Sequence, residues 1–427
     1  MHHLPETLHA WRTAASWDAA ALSRKWHAAV AKLDPATRRA VLAHLPDEVE
    51  LATAWEAATR SEGPLAGLPI LVKDLFDQTG VDTTASSTFL PEVRPTPTRD
   101  SALVATVRAT GAVLAGRTHL NEFAYGLSGE NAHFGDVPCA LDATRLSGGS
   151  SSGSAWAVGA GLVPFALGTD TGGSVRVPAS FNGIWGLRLT PDHPLSHDGC
   201  FPLAPTFDTA GWFATNAEDL ITLTDAILGP QTSGPASGPL RVMRLPDPFE
   251  LATDVQTSYA TTEWPFAVHD LPGDLAEGWR ERVNALPPHF SVIQSDEALA
   301  IHAQWLDRYR DRYDPRTFAR IERARHWTED QRQAAQAAMV DFRAWFAENV
   351  WTQCDVALLP AVPCVAQPAD HQGDATRNQI LTLTAPASVT ASPVVARPIS
   401  GPEGLSLGWQ MIARDVATAR RVLAAVA

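Results

Sequence analysis

The sequence predicts an α/β protein, and three observations carry the prediction. Short apolar runs bounded by Gly and Pro alternate along the chain with segments of helical periodicity. Two of those runs, ILV before Lys73 and AVLAG after Gly111, have the length and flanks of buried strands. The chain is also long enough, at 427 residues with 45% hydrophobic and 19% charged, to bury the core that such an architecture needs.

Taken in order, residues 1–60 read as a helical segment, in which Asp34 and Pro35 supply an N-cap and first-turn pair for ATRRAVLAHL. Gly63, Pro64, Gly67 and Pro69 then punctuate the chain ahead of ILV and Lys73, a strand ending in a polar loop. Asp100 is placed to cap a helix through SALVATVRAT, Gly111 to end it, and AVLAG to resume as a strand. From Ser147 to Thr190 the composition turns to Gly, Ser, Ala and Thr but keeps apolar stretches, so it reads as tightly packed loops rather than a linker. Residues 231–300 are rich in Pro, Gly and acid with weak periodicity, and 301–350 are strongly helical; together they read as a peripheral region. VALLPAV and APASVTASPVVARPI resemble strands and loops that return the chain to the core over 351–427. No repeat of fixed period interrupts this scheme.

Composition excludes several classes. Lys plus Arg is 33 against 47 Asp plus Glu, a net charge of -14, which has the wrong sign for neutralising phosphates, so no nucleic-acid partner is expected. The most apolar stretch, Ala155 to Gly168, is shorter than the roughly 20 residues of a membrane span and is broken by Gly and Pro, so no membrane partner is expected either. Cys139, Cys200, Cys354 and Cys364 show no paired spacing, and MHHLPETLHAWR lacks the order of a signal peptide, so reduced thiols in a cytoplasmic protein are expected. Only three basic residues are lysines, Lys25, Lys32 and Lys73. A lysine kept in such an arginine-rich chain draws attention as an amine that can lose its proton.

The chemistry concentrates between Leu146 and Arg188, where two glycine-serine loops flank a small-residue helix and a short strand. The second loop, Thr169 to Ser174, sets a serine directly after Gly172 and Gly173, so that consecutive amides can converge on a developing oxyanion. The same composition also serves ordinary turns. A phosphate loop fails because neither loop is followed by Lys-Ser or Lys-Thr, and GSSSG lacks the strand and helix context of a nucleophile elbow.

GPLAGLPILVKD, GGSSSGSA, GTDTGGSVRVPASFNGIWGLR, DVALLPAVP and GLSLGWQMI, in this order, resemble the amidase signature family. The resemblance covers about residues 60–230 strongly and 350–412 weakly. It implies one large domain over 1–427 with a central mixed β-sheet flanked by helices, the signature core lying in 61–230 and a variable region in 231–350. It also implies a Ser-cisSer-Lys triad, in which Lys73 matches the catalytic lysine, Ser150 the serine after a cis peptide bond, and Ser174 the nucleophile. The amides of Thr171, Gly172, Gly173 and Ser174 would form the oxyanion hole, with Asp170, Arg176 and Ser151 supporting the loops. A serine hydroxyl needs a base, these motifs hold no histidine, and burial can bring a lysine pKa from about 10.4 toward 7 or 8. The chain departs from the family's usual pattern at Ser152, at GLRLT (Gly186 to Thr190) and at Asn182.

The expected activity is therefore hydrolysis of a small-molecule amide to acid and ammonia through an acyl-enzyme on Ser174, with no cofactor and no metal. Asp192, His193, His197, Asp198 and Cys200 have the composition of metal ligands but an ordinary loop spacing, and no metal is assigned to them. Tyr125, Gly126 and Ser128 in NEFAYGLSGENAHFG are candidate substrate contacts, with core packing an equal alternative for Tyr125. FDTAGWFA resembles the corresponding segment of members acting on small aromatic or aliphatic amides, but the role expected of it is structural. Two rival readings are the amidase subunit of a tRNA-dependent amidotransferase and a non-catalytic scaffold of the same fold. The oligomeric state is left open, a homodimer being among the forms allowed.

Overall fold

The computed structural model describes residues 4–5, 7–13, 18–230, 238–371 and 373–427. Among them, eleven strands join into one mixed sheet: β1 Leu42–His44, β2 Pro69–Lys73, β3 Val113–Thr118, β4 Phe165–Asp170, β5 Trp185–Arg188, β6 Thr209–Ala214, β7 Val242–Arg244, β8 Val268–Asp270, β9 Val356–Pro360, β10 Val394–Ser400 and β11 Ser406–Ala413. Their spatial order is β1-β3-β2-β4-β6-β5-β10-β11-β9-β7-β8. β2 runs parallel to both β3 and β4. From β4 to β9 every pairing is antiparallel, and β7 and β8 extend the far edge in parallel. The expected α/β class with a mixed sheet flanked by helices is the one observed.

Alternation along the strands divides the apolar side chains between two cores, one on each face of the sheet. Ile70, Val72, Phe165 and Leu167 pack into one core. Leu71, Ala166 and Phe213 pack into the other, against the helix Ser152–Gly159 and the N-terminal helices. Period two places Lys73 on the face of Leu71, toward the helix that follows Ser150 and Ser151. One N-terminal helix, Glu48–Ala58, is closed by a capping box between Asp47 and Glu50. It buries Leu51 and Trp55, and the Trp55 indole nitrogen donates to the Gly67 carbonyl at 2.9 Å.

Four local expectations need correction. LAH, read as the end of a helix, is the edge strand β1, because the helix stops at Val41 and Leu42 pairs with Thr118. Ser101, not Asp100, caps the helix Ala102–Ala109, while Asp100 instead receives Thr79 and Arg108. APASV closes the helix Asp374–Val389 rather than lying in a strand or loop. The weakly periodic stretch contains a 30-residue helix, Gly273–His302, with Pro287 and Pro288 inside it. Burial of Trp279, Val283, Leu286 and Phe290 along one stripe outweighs the hydrogen bonds that the two prolines remove.

Candidate active site

Lys73 ends β2, and Thr169 and Asp170 end the parallel neighbour β4, so the cluster forms at the carboxyl ends of adjacent parallel strands, where α/β sheets hold their ligands. Lys73 is fully buried. Its Nζ lies 2.8 Å from Ser150 Oγ, 2.9 Å from Ser151 Oγ and 2.7 Å from Thr169 Oγ1. Burial brings its pKa down from 10.5 to about 7, against the smaller upward pull of Cys200, Asp170 and Asp208. Ser151 Oγ donates to the Thr169 carbonyl at 3.0 Å, so toward Lys73 it can only accept. The hydrogen of Ser150 has no such commitment among the described residues. The peptide bond between Gly149 and Ser150 is cis.

The loop after β4 is built on Asp170. Its carboxylate accepts from Gly173 N at 2.9 Å and Val175 N at 3.0 Å, from Arg176 Nε at 3.0 Å and Nη2 at 2.7 Å, and from Arg188 Nη1 at 2.8 Å. All three charged side chains are buried. Burial would raise the pKa of Asp170, yet Arg176 and Arg188 hold it far below the usual carboxylate range. Two guanidinium groups on one carboxylate leave a net positive charge behind the loop, the sign that favours an oxyanion in front of it. Arg176 also reaches the Thr384 carbonyl at 2.6 Å and Gln410 Oε1 at 2.9 Å, tying GTDTGGS to the late GLSLGWQMI segment.

This geometry narrows the oxyanion set. The Gly173 amide is engaged by Asp170 and is removed from it. The amides of Thr171, Gly172 and Ser174 donate to no group among the described residues, and all three residues line the cavity described next. Gly173 earns its glycine at φ +129°, a conformation that side chains disfavour. At Gly149 the reason is close approach, since a Cβ there would fall 2.0 Å from Asn121 Oδ1.

Ser174 lines a narrow cavity whose other walls include Tyr125, Gly126, Thr171, Gly172, Gln294, Arg377 and Leu381. Tyr125 and Gly126 are thus beside Ser174, whereas Ser128 is a correction: its hydroxyl donates to Glu130 Oε2 at 2.7 Å, and it does not line the cavity. A far larger cavity of about 590 Å³, lined by Asn284, His289, Trp327 and Asn378 among others, includes no residue of the Thr169 to Ser174 loop, so size alone does not choose the site. The residues considered as metal ligands scatter into separate bonds. His193 caps Leu195, His197 meets the Pro191 carbonyl and Asp198 pairs with Arg99.

Four contributors escaped the sequence reading. Thr169 and Arg188 sit inside quoted motifs at the carboxyl ends of β4 and β5, where both faces are buried and no alternation singles them out. Asp208, which accepts from Thr171 Oγ1 at 2.5 Å and from the Leu203 and Ala204 amides, lies in a segment read as structural. Gln294 comes from the region read as peripheral, and no local motif marks it.

Comparison with known proteins agrees with this picture. The sequence model of the family described as Amidase matches residues 22–260. The chain is 32% identical over 472 aligned positions to a subunit of the glutamyl-tRNA(Gln) amidotransferase of Chloroflexus aurantiacus, covering 99% of this chain and 96% of that one. It is 44% identical over 179 residues to the AtzE subunit of the 1-carboxybiuret hydrolase of Pseudomonas sp. (strain ADP), a match that spans 42% of this chain and only 39% of that relative. Among solved structures, a crystal structure of an amidase superposes with a TM-score of 0.77 at 28% identity, covering 96% of this chain and 98% of that one. A chain of a vestigial complex bearing on the origins of an s-triazine catabolic enzyme, in inhibitor-bound form, gives 0.80 at 28% identity over 96% and 94%. Fold and matches define the class as that of amide-hydrolysing enzymes. The chain belongs to the amidase family.

Proposed function

We propose that the protein hydrolyses a small carboxylic amide to acid and ammonia through an acyl-enzyme on Ser174. The observation that carries the reading is the buried Lys73 amine, held by three hydroxyls with no carboxylate in contact among the described residues and a pKa near 7. Neutral Lys73 takes a proton from Ser150 Oγ while Ser150 takes one from Ser174 Oγ, and Ser174 attacks the amide carbonyl carbon. The carbonyl oxygen becomes an oxyanion facing the amides of Thr171, Gly172 and Ser174. Collapse of the tetrahedral adduct breaks the C–N bond, and the proton returns from Lys73 through Ser150 to the leaving nitrogen. Water, activated by the same relay, then releases the acid. Asp170, Arg176 and Arg188 hold the loop and take no part in proton transfer.

The test is ammonia release from a panel of primary amides, comparing wild type with Ser174→Ala and Lys73→Ala. Loss of release in both variants, with an acyl mass trapped on Ser174 by rapid quench, supports the reading. Full activity in Ser174→Ala removes it. The full-length match to one component of an amidotransferase favours a second reading, in which the chain hands ammonia to a partner. Co-purified subunits that raise ammonia release from glutamine would favour it over a free-standing amidase.

A further inference from the structure

The wall opposite the reacting loop holds a side chain that the mechanism does not use. Gln294 projects from the helix Gly273–His302 into the cavity that contains Ser174 and Gly172. It is only 4% exposed, and its Oε1 is buried without a hydrogen-bond partner. A buried carbonyl left unpaired is costly, and native proteins keep such groups where a ligand or water completes them. With the scissile carbonyl at Ser174 and its oxygen against the loop amides, the acyl remainder of a substrate occupies the space between Tyr125, Leu381, Arg377 and Gln294. That space offers one carbonyl acceptor without a partner, the Gln294 Oε1, beside the Arg377 side chain.

We infer that Gln294 is a specificity-determining residue. Its Oε1 accepts an N–H from the acyl side of the substrate, selecting small amides that carry a second carboxamide or ureido group over aliphatic and aromatic ones. The inference rests on the proposed hydrolysis for its placement of the acyl group. Recognition by hydrogen bonding discriminates because an analogue lacking the N–H leaves Oε1 unpaired again.

Malonamide and acetoacetamide provide the test, since they differ only by NH2 against CH3 on the distal carbonyl. Wild type is expected to favour malonamide in kcat/KM by about tenfold or more, well beyond the roughly twofold statistical advantage of its two equivalent carboxamides. Gln294→Leu and Gln294→Met, both near in volume, should bring the ratio to that statistical value. Calorimetric binding of the two compounds to Ser174→Ala gives a second readout that needs no turnover. A tenfold preference in binding with no hydrolysis by wild type would sink the proposed reaction and leave the role of Gln294 standing. Equal treatment of the two compounds in both readouts, absence of binding included, overturns the role, as does a wild-type preference that survives in both Gln294 variants.

Discussion

Raising the pH from 5 to 9 should switch the enzyme on through a single ionisation near neutrality. The proposed base is Lys73, whose pKa falls from 10.5 to about 7 because the ammonium loses its hydration when the side chain is buried. Each pH unit below about 7 then reduces the neutral amine, and with it kcat/KM, about tenfold, and the profile levels off above about 8. The same shift has a stability counterpart whose sign runs the other way from that of a salt bridge. Between about 7 and 10.5 the unfolded chain binds a proton at Lys73 that the native state does not, so stability rises with pH across that window. At roughly 1.4 kcal/mol per pH unit, wild type should gain about 4 kcal/mol relative to Lys73→Met between pH 7 and 10. Ammonia release measured across pH 5 to 9, with solvent viscosity varied to show that chemistry limits the rate, reads the first effect; urea unfolding at both pH values reads the second. Thr169→Val removes one of the three hydroxyls that stabilise the ammonium, and should move the kinetic midpoint to lower pH. A flat profile below neutrality, or a wild-type stability that tracks that of Lys73→Met, would refute the assignment of Lys73 as a buried, largely neutral base.

Two more substitutions probe the loop. Asp170→Asn leaves Arg176 and Arg188 buried against a neutral partner, and should cost about 3 to 5 kcal/mol in urea unfolding; a loss below about 1 kcal/mol would mean that the ion cluster is not what holds the loop. Gly173→Ala forces a side chain into φ +129° and sets its methyl about 3.1 Å from Thr384 Cγ2. Its kcat/KM should fall about a hundredfold, as expected when oxyanion donors are displaced, while far-UV circular dichroism stays native. Kinetics like those of wild type would show that the loop tolerates the shift.

The strands that carry the reacting groups were legible because their signals are local. ILV with Lys73 and AVLAG with its preceding glycine announce β2 and β3 in a few residues each. Lys73, Ser150 and Ser174 were legible as motif positions, but the gathering of Ser150, Ser151 and Thr169 around the Lys73 Nζ was not, since it depends on which strands become neighbours. The engagement of the Gly173 amide by Asp170 was hidden for a related reason: a run of glycines shows which amides are accessible to sequence reasoning, not which one a carboxylate has already claimed. The helix Gly273–His302 was masked by Pro287 and Pro288, which punctuate the sequence locally while long-range burial of Trp279 and Phe290 overrides them.

That helix lies outside the segment that carries Lys73, Ser150 and Ser174, yet Phe290 stacks on Phe207 at 4.3 Å and Gln294 lines the same cavity as Ser174. On the proposed chemistry, bond-breaking and substrate choice are therefore encoded in separate stretches of the gene. Mutations in the later stretch can retune what is accepted without touching the loop that performs the reaction, which makes codons 286 to 298 a natural target for a focused library. Such a library would explore new substrates while every clone kept Ser174 and the loop around it.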